Sequence, residues 1–407
     1  MMKLVEGGVC AAKGFRANGL HCGIRKNKIK KDLALIVSDV PASAAAVYTT
    51  NLVKGAPLLV TKKHLANGVA QAVICNSGNA NTCNANGVEI AEHMSELVAE
   101  VAGVKVDDVV VASTGVIGQP LDITPIRKAM PQLVAGLSYD HLGARAAAEA
   151  IITTDTVAKE VAVEFEVGGK ICHLGGIAKG SGMIHPNMAT MLVFITTDVK
   201  ISSAMLQKAL STDVRKSFNM VSIDGDTSTN DTVAVLANGM AGNEEIVAEG
   251  ADFEIFMKAL NTVTVQLCRM LAGDGEGATK LLECRVTGAA CPKCAGTVAK
   301  SVICSSLLKS AMFGADANWG RVLCAIGYSG ASVDVDRIDV AFRSAKGTIE
   351  VCKNGAGIPF SEEIAKEILL EKEIEILISL GDGAGEATAW GCDLTYDYVK
   401  INGDYRT

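Results

Sequence analysis

A strand, a helix and a second strand follow one another between residues 70 and 112, and this order constrains the fold more than any other feature of the chain. The apolar runs 70–75 and 108–112 each predict a buried strand. Between them, residues 87–102 place five apolar side chains at helical spacing and four glutamates elsewhere on the helix. The chain therefore contains a local α/β unit whose amphipathic helix packs against the rest of the protein.

From residue 161 the side chains begin to alternate along the chain with the period of two that is typical of a strand. Residues 161–167 and 170–174 flank a glycine pair, and this pattern predicts a β-hairpin that turns at the glycines. Residues 202–210 predict a capped helix, and residues 253–271 predict a longer one that ends at a glycine. Because helices and strands are mixed in both halves, we expect an α+β protein.

The composition is typical of a globular protein with an aliphatic core. Of 407 residues, 49% are apolar, 20% are charged and 4% are aromatic, which argues against disorder. The net charge of −7 disfavours nucleic acid as a partner. The sequence contains neither a secretory signal nor a run of about 18 apolar residues. We therefore expect a cytoplasmic protein that does not engage a membrane.

Thirteen cysteines, an odd number in a long chain without an export signal, indicate reduced thiols. Cys291 and Cys294 have the spacing of a metal or redox motif, but no second pair or nearby histidine completes four ligands. Asp224, Asp226 and Asp231 lack the spacing of a calcium loop. We therefore predict no metal site, and we interpret the aspartate segment as a hydrogen-bonded loop near the functional site.

The run 179–190 (Lys-Gly-Ser-Gly-Met-Ile-His-Pro-Asn-Met-Ala-Thr) ends in a hydroxyl residue before an apolar segment. A hydroxyl that follows a small residue in a strained turn can attack the preceding carbonyl and break its own peptide bond. Thr190 would then carry both a nucleophile and a base, since its free α-amine has a reference pKa of about 7.7–8. His185 precedes a proline that restricts its backbone, and we interpret it as shaping this turn rather than as the base.

Seven other segments combine glycines with hydroxyl, amide and acidic residues. They are residues 76–81 (Asn-Ser-Gly-Asn-Ala-Asn), 113–118 (Ser-Thr-Gly-Val-Ile-Gly), 153–156 (Thr-Thr-Asp-Thr), 222–231 (Ser-Ile-Asp-Gly-Asp-Thr-Ser-Thr-Asn-Asp), 273–279 (Gly-Asp-Gly-Glu-Gly-Ala-Thr), 314–321 (Gly-Ala-Asp-Ala-Asn-Trp-Gly-Arg) and 401–407 (Ile-Asn-Gly-Asp-Tyr-Arg-Thr). Together with the run that ends at Thr190, they resemble the ornithine acetyltransferase family, also called the bifunctional glutamate N-acetyltransferases of arginine biosynthesis. The resemblance runs nearly end to end and follows the family's own order.

The resemblance implies self-cleavage between Ala189 and Thr190. The products would be an alpha fragment, 1–189, and a beta fragment, 190–407, which together form one body. No segment is rich in proline and serine or low in complexity, so the cut does not fall in a flexible linker. The implied fold is α+β, with mixed sheets packed between helix layers in the order αββα.

In this family the freed threonine, here Thr190, is the nucleophile that accepts the acyl group. The resemblance assigns the oxyanion-stabilising role to Thr114 and Gly115, which follow an apolar strand and can present a hydroxyl and a backbone amide. Without the resemblance, Ser-Thr-Gly at this point is typical of an ordinary turn that ends a strand.

The implied substrate, N-acetylornithine, carries a carboxylate and an ammonium, so its site needs charges of both signs. The family places its substrate contacts at the positions of Thr153, Lys179, Thr190, Glu276, Asn402 and Thr407. Without the resemblance, Lys179 and Glu276 would be ordinary solvated loop charges. Thr407 ends the chain and adds a carboxylate, so we expect an extended C-terminus to impair substrate binding.

The implied reaction is a ping-pong transfer of the acetyl group from N-acetylornithine to glutamate, without a cofactor. Acetyl-CoA is a second acetyl donor in bifunctional members, and the sequence does not decide between one function and two. The fragments are expected to assemble into a heterotetramer or larger. Two alternatives stay open: an amide hydrolase with the same nucleophile, and a non-enzymatic binding protein with an intact chain.

Overall fold

The computed structural model describes residues 2–185 and 191–404. Within these residues, sixteen strands are numbered along the chain: β1 (Lys3–Val5), β2 (Phe15–Leu20), β3 (Leu33–Tyr48), β4 (Val69–Asn76), β5 (Val109–Ser113), β6 (Lys159–Val167), β7 (Lys170–Lys179), β8 (Leu192–Thr197), β9 (Val221–Ser222), β10 (Thr232–Ala237), β11 (Leu281–Ala289), β12 (Asp339–Ser344), β13 (Gly347–Lys353), β14 (Ala356–Gly357), β15 (Glu373–Ser379) and β16 (Gly385–Cys392). The strands form two sheets.

The same residues form eleven α-helices, which precede, separate and follow the strands. They are α1 (Ala56–His64), α2 (Gly87–Ala102), α3 (Thr124–Ala135), α4 (His141–Ile151), α5 (Ser203–Asp213), α6 (Ala251–Gly273), α7 (Pro292–Cys304), α8 (Ser306–Phe313), α9 (Trp319–Gly327), α10 (Glu362–Leu369) and α11 (Tyr396–Asp404).

The first sheet has nine strands, with the order β1-β6-β7-β8-β10-β3-β4-β5 and β2 paired to β3. It is mixed, since β8 and β10 run parallel, as do β4 and β5, whereas β10 pairs antiparallel with β3. The second sheet has seven strands, in the order β14-β13-β12-β15-β11-β16-β9. It is mixed as well, because β11 runs parallel to β15 and antiparallel to β16.

Helices cover both faces of the first sheet. On one face, Ile195 and Val235 share a core with Phe256 and Leu260 of α6. On the other face, strand residues such as Phe194 pack against the alanines of α4. The part of the sheet formed by β3, β4 and β5 also packs against α1, α2 and α3. Strands enclosed on both faces read as continuous apolar runs rather than alternating ones.

The second sheet packs one face against α7, α8, α9 and α10, in a core that includes Phe342 and Ile376. Helix α6 contacts β6 and β7 of the first sheet and also β11 and β16 of the second. It therefore connects the two sheets. The α+β fold with mixed sheets packed against helix layers is confirmed.

The elements predicted from local patterns are confirmed as well. Helix α2 spans Gly87–Ala102, and the strands on either side of it, β4 and β5, are parallel neighbours. The predicted hairpin is formed by β6 and β7. Ser202 caps α5, since its side chain accepts a hydrogen bond of 3.3 Å from the Met205 amide. In the described part of the chain, no helix is long and apolar enough to span a membrane.

Candidate active site

The candidate site begins where β7 gives way to β8. These strands are antiparallel neighbours, and Lys179 at the end of β7 lies opposite Leu192 at the start of β8. The connection between them contains the predicted cleavage bond. Ala189 and Thr190 lie outside the described residues, and so does Thr407. The nucleophile, the cleavage point and the contact of the C-terminal residue therefore stay predictions.

Lys179 lies next to Thr114, although 65 positions separate them in the chain. The Lys179 Nζ atom donates a hydrogen bond of 3.4 Å to the Thr114 hydroxyl. The Lys179 side chain is buried, and Thr114 directly follows β5. A buried ammonium needs polar partners because water does not solvate it. The fold thus brings together two positions that the sequence had connected only through family resemblance.

Gly115 occupies a backbone position that only glycine tolerates. Its φ is +126°, and a Cβ atom there would lie 2.7 Å from the Gly78 carbonyl carbon and 2.8 Å from the Asn79 nitrogen. Asn79 also forms a parallel β-bridge with Val116. The segments 76–81 and 113–118 therefore lie side by side, with their backbones in contact at Gly115.

Asn76 and Asn230 hold these two segments together. Asn76 Nδ2 donates 2.6 Å to the Ser113 hydroxyl, and Asn230 Nδ2 donates 2.6 Å to the Ala80 carbonyl and 2.9 Å to the Ser113 carbonyl. Both side chains are buried, so their hydrogen bonds are made in a poorly solvated environment. Sequence reasoning gave these asparagines no role of their own. The signal was their occurrence in segments that resemble the family.

A buried cluster of charges adjoins Gly180, the residue after Lys179. Lys159 Nζ donates 2.6 Å to the Asp155 carboxylate and 2.5 Å to the Asp274 carboxylate. The Gly180 amide donates 2.7 Å to the same oxygen of Asp155. Burial alone would raise the pKa of Asp155, but the charges of Lys159 and Lys179 and these hydrogen bonds outweigh it and lower that pKa to about 2. Sequence reasoning missed this cluster.

Thr153 reaches the site through Asp155. The Thr153 amide donates 3.0 Å to the Asp155 carboxylate, whose other oxygen binds the Gly180 amide. The segment that contains Thr153 is thereby fixed beside residue 180, directly after Lys179. Asp155 is thus a positioning residue between two of the predicted substrate contacts.

Glu276 and Asn402 are brought together at the opposite end of the 179–182 segment. Asn402 Nδ2, on α11, donates 2.8 Å to the Glu276 carboxylate. The Glu276 amide donates 2.8 Å to the Ser181 carbonyl, and a Cβ atom on Gly182 would lie 2.5 Å from the Glu276 carboxyl carbon. The backbone of 179–182 therefore connects the Lys179–Thr114 contact with the Glu276–Asn402 pair.

Asp224 anchors the chain just before the predicted cleavage bond. Its carboxylate accepts 2.5 Å from the Met183 amide and 2.8 Å from the Ile184 amide. Met183 has a φ of +54°, a conformation that costs about 1–3 kcal/mol for a residue with a side chain. The His185 carbonyl accepts 2.8 Å from the Thr227 hydroxyl. The aspartate loop thus holds a strained backbone at the edge of the segment.

The ring of His185 lies within hydrogen-bonding distance of a hydroxyl. Its Nδ1 atom is 3.1 Å from the Ser222 Oγ atom. Burial and the positive charge of Lys300 lower the pKa of His185. His185 is therefore a neutral ring near pH 7 that ties the segment before the predicted bond to the loop at residues 222–231.

Known proteins resemble this chain along its whole length. The sequence pattern of the ArgJ family matches residues 16–407. The Arginine biosynthesis bifunctional protein ArgJ of Caldanaerobacter subterraneus is 50% identical over 407 residues, and the alignment covers 100% of both chains. The protein of the same name from Symbiobacterium thermophilum is also 50% identical, again with 100% coverage of both chains. This chain belongs to the ArgJ family.

A solved structure agrees with the assignment to the ArgJ family. The crystal structure of the Arginine biosynthesis bifunctional protein ArgJ from Bacillus halodurans matches with 48% identity and a TM-score of 0.50. The match covers 53% of this chain and 98% of the solved chain. The family resemblance inferred from the sequence is confirmed.

The described residues of this ArgJ-family chain give the site both signs of charge. Lys179 supplies a buried ammonium beside the Thr114 hydroxyl, and Glu276 supplies a carboxylate that is half-buried. In residues 2–185 and 191–404, no three His, Cys, Asp or Glu side chains are grouped so that they could hold a metal ion. The arrangement can bind a substrate with a carboxylate at one end and an ammonium at the other.

Proposed function

We propose that this chain cleaves itself between Ala189 and Thr190 and then transfers the acetyl group of N-acetylornithine to glutamate. The contact of Lys179 with Thr114 is the observation that carries the proposal. It joins the run that leads to Thr190 with the predicted oxyanion-stabilising segment, at a distance of 3.4 Å. Family membership gives this contact its chemical meaning, since the related proteins from two bacteria are named for arginine biosynthesis.

Self-cleavage begins when the Thr190 hydroxyl attacks the carbonyl of Ala189 and displaces the peptide nitrogen, which takes up the hydroxyl proton. Water then hydrolyses the resulting ester, leaving a carboxylate on Ala189 and a free α-amine and hydroxyl on Thr190. The backbone before the bond supports this step, because Asp224 holds Met183 at a positive φ and the Thr227 hydroxyl holds the His185 carbonyl. The backbone after the predicted bond is held as well, since the Thr232 amide donates a hydrogen bond of 2.9 Å to the Met191 carbonyl. A segment fixed at both ends can keep a strained conformation that a free loop would relax.

The α-amine of Thr190 then takes the proton of its own hydroxyl, which attacks the acetyl carbonyl of N-acetylornithine. Thr114 and Gly115 stabilise the oxyanion. Ornithine leaves with the proton, and the amine of glutamate attacks the acetyl ester of Thr190 to form N-acetylglutamate. Lys179 supports this assignment because its ammonium fixes the orientation of the Thr114 hydroxyl.

Glu276, paired with Asn402, binds the substrate ammonium, while Lys179 and the C-terminal Thr407 contribute the remaining polar contacts. Thr153 completes the substrate site from the segment that Asp155 anchors. No cofactor takes part, and acetyl-CoA serves as an alternative acetyl donor in the bifunctional form.

The two fragments, 1–189 and 190–407, stay together after the cut and assemble further into a heterotetramer or larger in the cytoplasm. Strands from both sides of the cut pair within the first sheet: β8 with β7, and β10 with β3. The solved relative supports a chain of the second fragment's size, because its match spans 53% of this sequence and residues 190–407 are about 54% of it.

Intact-mass spectrometry of the purified, untagged protein tests the cleavage. We expect two fragments of about 20 and 23 kDa, the larger beginning at Thr190, as scaled by residue count from 42.3 kDa. Thr190→Ser keeps a hydroxyl and should still be cut, whereas Thr190→Ala should remain one chain. A single uncut wild-type chain would overturn the mechanism in favour of a binding protein.

A product assay then separates transfer from hydrolysis. The wild-type enzyme is given N-acetylornithine with and without glutamate, and N-acetylglutamate and free acetate are both quantified. Transfer predicts N-acetylglutamate in amounts equal to the ornithine released, and a loss of about 10³-fold or more in Thr190→Ala. Acetate as the main product, independent of glutamate, would identify an amide hydrolase instead.

A further inference from the structure

Two cysteines meet at the start of α7, away from the residues of the proposed acetyl-transfer site. The Sγ atoms of Cys291 and Cys294 are 3.0 Å apart, which is about 1 Å longer than a covalent S–S bond. Both residues are partly exposed. A small thiol or disulfide in solution can therefore reach them.

The helix terminus gives the two sulfurs different roles. Cys291 is the residue that caps α7, and its Sγ atom accepts a hydrogen bond of 3.2 Å from the Cys294 amide. A thiolate at this position is stabilised by the unpaired amides at a helix N-terminus. The Cys294 thiol and amide lower the pKa of Cys291, whereas the hydrogen bond to Cys291 raises the pKa of Cys294. Cys291 is therefore the thiol that attacks, and Cys294 is the thiol that resolves.

The surrounding backbone keeps the pair in place. A Cβ atom on Gly385, the first residue of β16, would lie 2.3 Å from the Cys291 carbonyl carbon. Gly385 thus allows the second sheet to pack directly against the backbone of Cys291. Pro292, the first residue of α7, restricts the turn further. The contact between the sulfurs belongs to a packed helix start rather than to a loose loop.

The other cysteines differ from this pair. All thirteen lie in the described residues as free thiols, and no other two of their sulfurs form a hydrogen-bonded contact there. Cys268 and Cys284 are fully buried, and burial raises the pKa of both thiols, so they are unreactive. Cys83 and Cys324 are exposed but have no sulfur partner of this kind.

We propose that Cys291 and Cys294 are a reversible thiol–disulfide exchange site for low-molecular-weight disulfides. The Cys291 thiolate attacks one sulfur of the disulfide and releases the first small thiol. Cys294 then loses its proton and attacks the Cys291 sulfur, which releases the second small thiol. The two protein thiols are oxidised to one disulfide, and one small disulfide is reduced to two small thiols.

The position of Cys291 at the helix terminus predicts whether the dithiol or the disulfide is favoured at equilibrium. Stabilising the Cys291 thiolate favours the reduced form, as does any interaction that lowers the pKa of the attacking thiol. We therefore expect the pair to stay reduced in a thiol-rich buffer and to oxidise as glutathione disulfide rises.

Thiol trapping of the purified protein tests the proposal. The protein is equilibrated with glutathione and glutathione disulfide at increasing ratios of disulfide, quenched in acid, alkylated and analysed by intact mass and peptide mapping. For the wild type we expect two fewer alkyl groups than in the fully reduced protein, with the bond located between Cys291 and Cys294. Return to a reducing buffer should restore both thiols.

Single variants separate the two roles, and a matched control tests the two exposed cysteines. Cys294→Ser should accumulate a glutathione adduct on Cys291, because the resolving thiol is missing. Cys291→Ser should carry less adduct on Cys294 under the same conditions. The double variant C83S/C324S should form the disulfide like the wild type. Stable adducts on both Cys291 and Cys294 of the wild type, or an unoxidised pair when Cys83 is already modified, would overturn the proposal.

Discussion

Strand β10 of the first sheet and strand β15 of the second lie in contrasting surroundings. All six residues of β10 are buried, whereas β15 alternates between buried and more exposed residues. At β10 the first sheet is enclosed by helices on both faces, whereas at β15 the second sheet is covered by helices on one face. A cavity of about 290 Å³ is lined by residues of β11, β12, β13 and β15 in the second sheet.

The charged pairs of the two regions also differ in how far their side chains are exposed to water. Lys159 and Asp155 have no exposed side-chain surface, whereas Arg343 and Glu375, which pair across β12 and β15, keep 39% and 31% of theirs. Water weakens the exposed pair, while the buried pair depends on its own hydrogen bonds. The candidate site borders the buried charges, since the Gly180 amide binds Asp155, and none of its described residues lines the cavity.

Removing the Lys159 ammonium should have the largest effect on stability. Lys159→Met leaves the Asp155 and Asp274 carboxylates without the cation that joins them, and losing one member of a buried ion cluster costs about 3–5 kcal/mol. Urea unfolding measures this on the Thr190→Ala background, in which we expect a single chain. A loss below about 1 kcal/mol would mean that the buried ion cluster contributes no more to the free energy of unfolding than an exposed ion pair does.

Adding one methyl group at Gly115 should damage both stability and activity. Gly115→Ala combines a positive φ with backbone atoms 2.7 Å from the new Cβ, so we expect a loss of about 2–3 kcal/mol. Gly118→Ala is the matched control, because its φ is +76° and its Cβ would meet nothing within 4 Å. We expect it to cost about 1 kcal/mol. Equal losses in the two variants, measured by urea unfolding, would contradict the close approach of the two segments.

Low pH should lower the free energy of unfolding, because Asp155 in the first region becomes protonated. The pKa of Asp155 is lowered from 3.8 to about 2, against the effect of burial, by Lys159 and Lys179. Its contribution is therefore fully present above pH 3.8 and is lost as the pH falls through about 2. We expect the wild type to lose about 2 kcal/mol more than Asp155→Asn over this interval.

Unfolding curves at several pH values between 2 and 5, recorded for both proteins, check the role of Asp155. Comparing the two proteins cancels the contributions of the other carboxylates. Parallel stability curves would show that Asp155 has the same pKa in the folded and unfolded chain.

Breaking the exposed pair of the second sheet should have the smallest effect. Arg343→Gln removes the two hydrogen bonds of 2.7 and 2.5 Å to Glu375, and exposed pairs of this kind contribute about 0–1 kcal/mol. High salt should reduce the difference from the wild type further. A loss as large as that of Lys159→Met would erase the distinction between the two sheets.

The candidate site could be proposed from the sequence because its residues lie in short contiguous segments. Lys179, Thr114 and Glu276 were identified through such segments, and the fold places the first two 3.4 Å apart. The pairing of Lys159 with Asp274 could not be predicted, because the two residues are 115 positions apart and nothing in the segment 273–279, which contains Asp274, indicates its partner. Asn230 was likewise visible as part of a motif but not as the group that bonds Ala80 and Ser113.

The sequence by itself determined three of the helices, the hairpin, the α+β class and the family, because periodicity, capping residues and motifs are properties of neighbouring positions. It also determined the spacing of Cys291 and Cys294. Only the tertiary structure decided which charges are buried together, at which glycine an added Cβ atom would meet distant backbone, and which cysteine caps a helix. These properties depend on groups that are distant in the chain, since desolvation and hydrogen bonding act between atoms that meet in space.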